Sequence, residues 1–375
     1  MVAAICSGSV MKMLSLEDRG WDSFYIVDVF DESQRGKRLK RADHEDGDIP
    51  YVSSTAMNNG VDGFIAKADG CRTFEDCISL NNSGSVGKAF YEPFEFVASD
   101  HITHLKKDGA TEEQYLFLKA VIEMQSVNFS FNREINDERL NRMKIMLPVN
   151  TLGEPDWQFM DDYIKERKEV LIKKQIAFLE QEIKAIGGGS SQLDIKLDDC
   201  FEWKAFAVGE LFHTFVNGKG KGLNHLRKAQ QGGVEYIGAT NRNDGVLCFV
   251  EKDSRNEGMV QEGNCIGFIR NGDGSAGYAI YRAREFVSTS DVMYGYADWL
   301  NESTGRFFIV AQDMIKAKYS HGHKRSAERL ANDRVMLPAD KYGSPDWAFM
   351  GRYEKKQRLG KLITAKKCLC KQLSE

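Results

Sequence analysis

One stretch occurs twice in this chain, and its recurrence constrains the fold more than any other feature. Met146-Leu147-Pro148, followed by Gly153-Glu154-Pro155-Asp156-Trp157-Gln158-Phe159-Met160, returns as Met336-Leu337-Pro338, followed by Gly343-Ser344-Pro345-Asp346-Trp347-Ala348-Phe349-Met350. The copies lie about 190 residues apart in a chain of 375. That spacing is too long for the stacked units of a solenoid and matches one domain. Two tandem domains are therefore expected, each with its own core.

Other landmarks keep the same order in both halves. Trp21-x2-Phe24-x-Ile26-x2-Val29-Phe30 corresponds to Trp203-x2-Phe206-x-Val208-x2-Leu211-Phe212, an apolar opening that should plug each core. Tyr51 to Val61 and Tyr236 to Val246 each run from a β-prone pair into Asn-Gly or Asp-Gly, the strongest short hairpin signal. Ser83-Gly84-Ser85-Val86-Gly87 and Asp273-Gly274-Ser275-Ala276-Gly277 are glycine-rich corners between β segments, and Phe96-Val97 matches Phe286-Val287. Leu116 to Met124 and Trp299 to Ile309 read as helices, and Arg139-Leu140 and Arg329-Leu330 close the two halves. Each half is thus an α+β domain of many short strands.

After each Pro-Asp-Trp the period changes to helical. Pro155 suits a first helical turn and Asp156 favours the positive end of the helix dipole, while Ser344 offers the second copy an N-cap. Ile172, Ile176, Leu179, Ile183 and Ile186 then step four, three, four, three, the seam of a coiled coil. Leu359, Leu362, Leu369 and Leu373 form a second seam, with Lys366 at the intervening position. From Pro155 to Ile186 the first helix should span about 48 Å, and Gly187 to Ser191 should end it in a flexible joint. The expected division is a first domain over 1–147, a central helix and linker over 148–190, a second domain over 191–337 and a C-terminal helix over 338–375. The two long helices should pair as an antiparallel coiled coil.

Hydrophobic content of 42% suffices for two cores, and a net charge of −4 confines any nucleic-acid surface to local patches. No apolar run approaches the roughly 18 residues of a membrane span. Met1 to Leu14 is weakly apolar but interrupted by Lys12 with no basic residue before it, so it reads as a ragged start rather than a signal peptide. The eight cysteines include no CxxC pair, which suits free thiols in a reducing cytoplasm.

Two patterns imitate chemistry. Gly272-x-Gly274-x2-Gly277 matches a dinucleotide fingerprint, but Tyr278 to Tyr281 after it looks like a strand where that site needs a helix, so a glycine-rich turn is expected. Asp156 with Glu166-Arg167-Lys168, and Asp346 with Glu354-Lys355-Lys356, resemble the carboxylate and lysine set of metal-dependent nucleases. Both elements fall on one helix, where Asp156 and Glu166 would stand about 15 Å apart, too far to share a metal. His101-x2-His104 and His321-x-His323 lack neighbours at zinc-site spacing. Neither Gly-x-Ser-x-Gly nor a Gly-Lys-Thr/Ser loop occurs, and the six prolines are never adjacent, so the Asn/Asp-Pro-Pro-aromatic motif of amino-methyltransferases is absent too.

What remains is polar and basic. Arg35, Lys37, Arg38 and Lys40 cluster between Gln34 and Arg41; Lys219, Lys221, Arg227 and Lys228 lie between Phe215 and Gln231; Lys316, Lys318, Lys324 and Arg325 lie between Ile315 and Arg325, the last two runs without an acid. Such clusters suit phosphate contacts. Asn58, Asn59, Asn241, Arg242 and Asn243 sit at turn tips, and Asn and Arg are the natural readers of adenine and guanine edges. Ser85 and Lys88 flank the first glycine corner. Each residue also has a bland explanation, since Asn-Gly is turn chemistry and charge runs are solvated. Recurrence of tip and basic run in both halves favours a function for the set.

The pattern resembles the DNA-specificity subunit of type I restriction–modification systems. The matching parts are Ile49-Pro50-Tyr51-Val52-Ser53-Ser54-Thr55, Asn59-Gly60-Val61, Ser83-Gly84-Ser85-Val86-Gly87, Lys144-Ile145-Met146-Leu147-Pro148 before a long helix, and Lys318-Tyr319-Ser320 with Arg325. The resemblance covers the whole chain as domain, helix, domain, helix. It implies two target-recognition domains reading a split site in double-stranded DNA, and helices that act as a spacer and dock two methyltransferase subunits, with restriction subunits as further partners. No cofactor is expected in this chain; S-adenosylmethionine, Mg²⁺ and ATP would belong to partner subunits, and no membrane partner is implied. Pro-Asp-Trp with a short second helix also resembles the specificity subunits of systems whose partner fuses methylation and cleavage, which leaves the partner set open. A Mg²⁺-dependent nuclease and a coiled-coil scaffold that binds no nucleic acid stand as alternatives. If the helices are the ruler, the two half-sites should be centred roughly 34–48 Å apart, about 10–14 base pairs of B-DNA.

Overall fold

A computed structural model describes residues 13–67, 70–130, 132–187, 195–220, 222–272, 274–320 and 322–374. The chain divides into two compact units, one up to Gln175 and one from Ile176.

The first unit opens with β1 (Gly20–Tyr25), α1 (Ile26–Val29), β2 (Glu32–Arg35), β3 (Asp46–Val52), β4 (Val61–Ile65), β5 (Thr73–Phe74), β6 (Cys77–Asn81), β7 (Ala89–Glu92), β8 (Phe96–Ala98) and β9 (Ile102–Lys106). It continues with α2 (Glu112–Met124), α3 (Asp137–Asn141), β10 (Lys144–Val149) and the start of α4 (Trp157–Ile186). Two four-stranded sheets are ordered β2-β9-β6-β7 and β4-β3-β8-β5, and β1-β10 forms a separate two-stranded ribbon. All pairings are antiparallel except β3 with β8.

The second unit repeats the plan with β11 (Glu202–Ala207), α5 (Val208–Leu211), β12 (Thr214–Asn217), β13 (Val234–Ile237), β14 (Val246–Val250), β15 (Cys265–Ile269), β16 (Ala279–Arg282), β17 (Phe286–Ser288) and β18 (Val292–Tyr296). Then come α6 (Glu302–Asp313), α7 (Ala327–Asn332), β19 (Arg334–Ala339) and α8 (Trp347–Gln372). Its sheets run β12-β18-β15-β16 and β14-β13-β17, with the ribbon β11-β19. Each half is the expected α+β domain of short strands.

The Leu-Pro segments are strands, not mere lead-ins to a helix. Pro148 faces Trp21 and Pro338 faces Trp203 across two-stranded ribbons, where a proline is tolerated because an edge needs no donor on its open side. Ile145 and Leu147 are buried while Lys144 and Met146 point out, the period-two pattern of a half-buried strand. Tyr115, Leu118 and Ile122 of α2 close over Ile78 and Leu80 of β6 and Leu147 of β10. In the second unit Phe308 of α6 meets Phe212, Phe268 and Trp299 edge-on or tilted.

Each globular part is fastened to a long helix. Thr111 Oγ1 donates to Asp161 on α4 at 2.6 Å, and Lys168 of α4 bridges Glu112 and Glu113 at 2.9 and 2.8 Å. In the second unit Trp299 stacks on Trp347 of α8 with ring centres 3.7 Å apart, and Arg358 pairs with Glu302 at 2.6 Å. Both long helices begin one residue after the Asp: Asp156 and Asp346 are the caps, accepting from the N–H of Phe159 and Phe349 at 2.9 and 2.8 Å. Ser344 is therefore not the cap, and Pro155 and Pro345 lie in bridges to Val149 and Ala339 ahead of the helix.

Within the second unit, Leu179 is buried and Ile176, Ile183 and Ile186 are half-buried, as are Leu359, Leu362 and Leu369 of α8. Lys366, the polar member of the seam, pairs with Glu180 at 2.7 Å. Ile172, in the first unit, is half-buried, whereas Leu373 ends α8 exposed. The predicted joint after Gly187 lies outside the described residues. No helix among the described residues is long and apolar enough to cross a membrane.

Candidate nucleic-acid interface

In each unit four chain segments meet along one rim: a basic loop, a strained turn, a glycine corner and the loop after the long domain helix. Backbone hydrogen bonds hold them together. In the first unit, Gly36 N–H donates to Ile102 O and Lys37 N–H to Ala98 O, which fixes the start of the basic loop. Ser85 N–H donates to Ser54 O at 3.0 Å, tying corner to turn, and Ile135 N–H donates to Asn82 O at 2.9 Å, tying in the last loop. The second unit repeats this with Gly218 N–H to Val292 O, Gly220 N–H to Ser288 O and Arg325 N–H to Arg270 O, and ties corner to turn through Asn241 N–H, which donates to Ser275 Oγ at 3.3 Å. Glycine is required before the basic loop, because a Cβ at Gly36 would lie 2.2 Å from Ser99 O and one at Gly218 1.9 Å from Thr289 O.

The turns carry the strain. Asn58, Asn59 and Gly60 have φ of 49°, 51° and 80°, and Asn243, Asp244 and Gly245 have 49°, 49° and 80°. Asn and Asp tolerate the left-handed region better than other side chains, but two in succession are costly, and such strain concentrates at functional positions. The expected hairpins β3-β4 and β13-β14 therefore form, but around a longer strained tip rather than a two-residue turn.

The candidate residues separate when placed on this rim. Lys37, Arg38 and Lys219 are exposed, as are Arg227 and Lys228, whose segment runs beside Val250 at the end of β14 away from the tip, and none of the five makes an ion pair among the described residues. Arg38, Lys40 and Arg41 line a cleft of about 580 Å³ together with Asp46, Asp62 and Asp100, so its charge is mixed. Arg242 is exposed at the second tip, as are Asn58 and Asn59 at the first. Lys324 lines an open basin of about 1050 Å³ with His323 and Arg329. Lys318 is exposed but pairs with Asp333 at 3.6 Å, and Lys88 pairs with Glu123 at 3.8 Å. Ser85 is half-buried at the corner, and Lys221 lies outside the described residues.

Arg325 is corrected, and three further candidates make contacts within the fold. Arg325 is fully buried: Nε and Nη2 donate to Asp333 at 3.1 and 2.7 Å, Nη1 donates to Gly277 O at 3.3 Å, and Phe268 and Tyr319 flank the guanidinium. A group with no exposed surface cannot touch a phosphate. Arg35 is half-buried and donates to Ile135 O at 2.9 Å beside Asp137, so it anchors the last loop. Asn241 and Asn243 also work within the fold, the first accepting from Ser275 Oγ at 2.9 Å and the second donating to Val246 O at 3.0 Å.

Sequence reasoning missed Arg41, Arg270 and the cross-links that join corner to hairpin. Ser83 and His101 share a hydrogen bond at the first rim. At the same place in the second, Asn271 donates to Asp291 at 3.2 Å. The replacement of one pair by the other identifies a clasp rather than a reactive serine. Arg270 donates to Asn217 at 2.8 Å and to Arg325 O at 3.2 Å.

The patterns that imitate catalysis are used structurally. Asp156 caps α4 and pairs with Arg19 at 2.8 Å; burial raises its carboxyl, but the Arg19 pair and the Phe159 N–H together outweigh it and hold the carboxyl below the usual range. Glu166 accepts from Leu14 N–H at 2.8 Å. Gly277 is followed by strand β16, which excludes the dinucleotide site. No group of three His, Cys, Asp or Glu among the described residues is arranged to hold a metal.

The fold and its rims define a class first: a tandem of two equivalent α+β modules, each fastened to a long helix and each presenting one polar rim. Comparison with known proteins gives the family. The type I restriction modification DNA specificity domain matches residues 18–181 and again 201–366. A specificity subunit of a type II restriction enzyme from Heyndrickxia coagulans is 31% identical over 166 residues, which cover 44% of this chain and about half, 48%, of that relative. The crystal structure of a type I restriction–modification S subunit from M. genitalium covers 96% of this chain and 94% of its own with a TM-score of 0.52 at 16% identity, a likeness of fold alone. The chain belongs to the type I restriction–modification DNA-specificity family.

Proposed function

We propose that this chain is the non-catalytic specificity subunit of a restriction–modification complex, and that each unit reads one half of a split site in double-stranded DNA. The observation that carries this is the recurrence of one rim in both units. Each combines exposed cations, which suit phosphates, with a strained polar tip able to reach base edges. The matched relative is named a specificity subunit, in keeping with this reading.

In this proposal the long helices set the gap between half-sites and dock two methyltransferase subunits. Helix α4 has 30 residues, about 45 Å of length. Docking of one partner to each unit is supported by a duplicated apolar surface. Met124 and Met146 are 71% and 45% exposed in the first unit, and their equivalents Met314 and Met336 are 81% and 50% exposed in the second. Exposed apolar groups recurring at equivalent places suit a partner present twice. S-adenosylmethionine, Mg²⁺ and any ATP would be held by those partners or by restriction subunits.

Selection from random-sequence duplex DNA by this chain assembled with its modification partner tests the proposal. Two short fixed blocks separated by a gap of constant length are expected. A single contiguous block, or no selected sequence, would reject it.

A further inference from the structure

We infer that the two units read different bases through their strained tips, the first facing A·T pairs and the second G·C pairs. This rests on the DNA-reading role proposed above.

The two tips share one backbone and carry different side chains. Each is closed by one equivalent bond, Ser53 N–H to Gly60 O in the first and Gly238 N–H to Gly245 O in the second, both at 2.9 Å. Each begins with a threonine hydroxyl accepting two residues on, from Met57 N–H at 3.1 Å and from Arg242 N–H at 3.2 Å. With matching φ values, Met57 corresponds to Arg242, Asn58 to Asn243 and Asn59 to Asp244. All six are exposed. The fold thus offers two interchangeable heads on one mount.

Their chemistry points to different base pairs. Met57 is 67% exposed and apolar, and the one apolar group in the major groove is the thymine methyl. Asn58 and Asn59 beside it present carboxamides, which match the donor and acceptor of adenine. At the second tip Arg242 presents a guanidinium, the match for guanine O6 and N7. Asp244 places an acceptor-only carboxylate beside it. Phosphates repel that group, and so do the acceptor edges of guanine and thymine, while the cytosine amino group satisfies it. Asn243, whose amide is used within the turn, adds no adenine reader there.

The second tip is also braced for this task. Arg282, nearly buried, donates to Asp244 O at 2.8 Å and pairs with Glu235. The strand register puts Arg282 opposite Cys265, as it puts Glu92 opposite Cys77 in the first unit. A buried cation therefore holds the backbone of the Asp244 tip in place and has no counterpart in the first.

The test is a graft made in the full chain, assembled with its modification partner and put through selection from random duplexes. Parent complexes should select one block containing A·T at its discriminating positions and one containing G·C. In Arg242→Met/Asp244→Asn the G·C block should shift to A·T by at least about tenfold in preference, while the other block and the gap persist. Arg242→Lys keeps the charge and loses the bidentate fork, so it should bind with similar affinity and relax that position; it serves if the graft folds poorly. A parent that selects two blocks, with both variants selecting the parental bases, would overturn the tip assignment and leave the two-reader role standing. A parent that selects no sequence would remove both.

Discussion

The buried pair Arg325–Asp333 makes a quantitative prediction, because the first unit has solved the same site without charge. Arg325, Asp333 and Tyr319 occupy the places of Ile135, Met143 and Phe129, as the shared bonds of Val208 N–H to Asp333 O and Ile26 N–H to Met143 O show. Asp333→Ala would leave a fully buried guanidinium with only Gly277 O at 3.3 Å, and would strip Tyr319 Oη of an acceptor at 2.9 Å. Breaking such a pair costs about 3–5 kcal/mol. Tyr319→Phe/Arg325→Ile/Asp333→Met installs the first unit's apolar set and removes every stranded polar group. It should fall within about 1 kcal/mol of the parent or exceed it, since apolar replacement of buried ion pairs is neutral or stabilising. Urea titration read by hydrogen exchange of peptides from β15 and α6 reports on this unit alone. If the triple variant is as unstable as Asp333→Ala, the pair is not an exchangeable core element and the reasoning is wrong.

Glu92 gives the first unit a pH dependence. Burial pushes its carboxyl up to about 7, against the opposing Ser79 hydrogen bond at 2.8 Å. For a raised acid the stability it contributes is full below the ordinary value near 4.5 and is lost as pH rises through about 7. Glu92→Gln should therefore flatten the first unit's stability between pH 5 and pH 8 by about 3 kcal/mol, as read by hydrogen exchange of β6 and β7; an unchanged slope would refute it. Lys219→Ala/Lys228→Ala should reduce the slope of log affinity against log salt by about two for any duplex, and an unaltered slope would remove both lysines from the interface. Ile183→Asp places a charge in the half-buried row of α4 and should abolish assembly with the partner while both units stay folded; a complex of normal size on a sizing column would refute this.

Much of the fold was legible because duplication supplies a second reading of every element. Pro-Asp-Trp marked both long helices, the Asn-Gly and Asp-Gly steps marked both hairpins, and the glycine corners fell where expected. The site was less legible, because exposure depends on partners distant in sequence. Arg325 and Lys324 are neighbours of like charge, yet one is core and the other solvated, since Asp333 faces only the first. A signal existed: Arg325 aligns with Ile135, and an apolar residue in the sister copy argues for a core position. The role of Asn243 was hidden differently, for an Asn that reads a base and an Asn that closes its own turn have the same local sequence.

The central claim is that two separate readers share one chain, and exchanging one of them tests it most directly. Residues 1–145 would be replaced by the corresponding region of a family member with a different target, and the assembled complex put through selection from random duplexes. The account predicts that one block of the selected site changes to the donor's while the other block stays as it was. Simultaneous change of both blocks, or of neither, would contradict it.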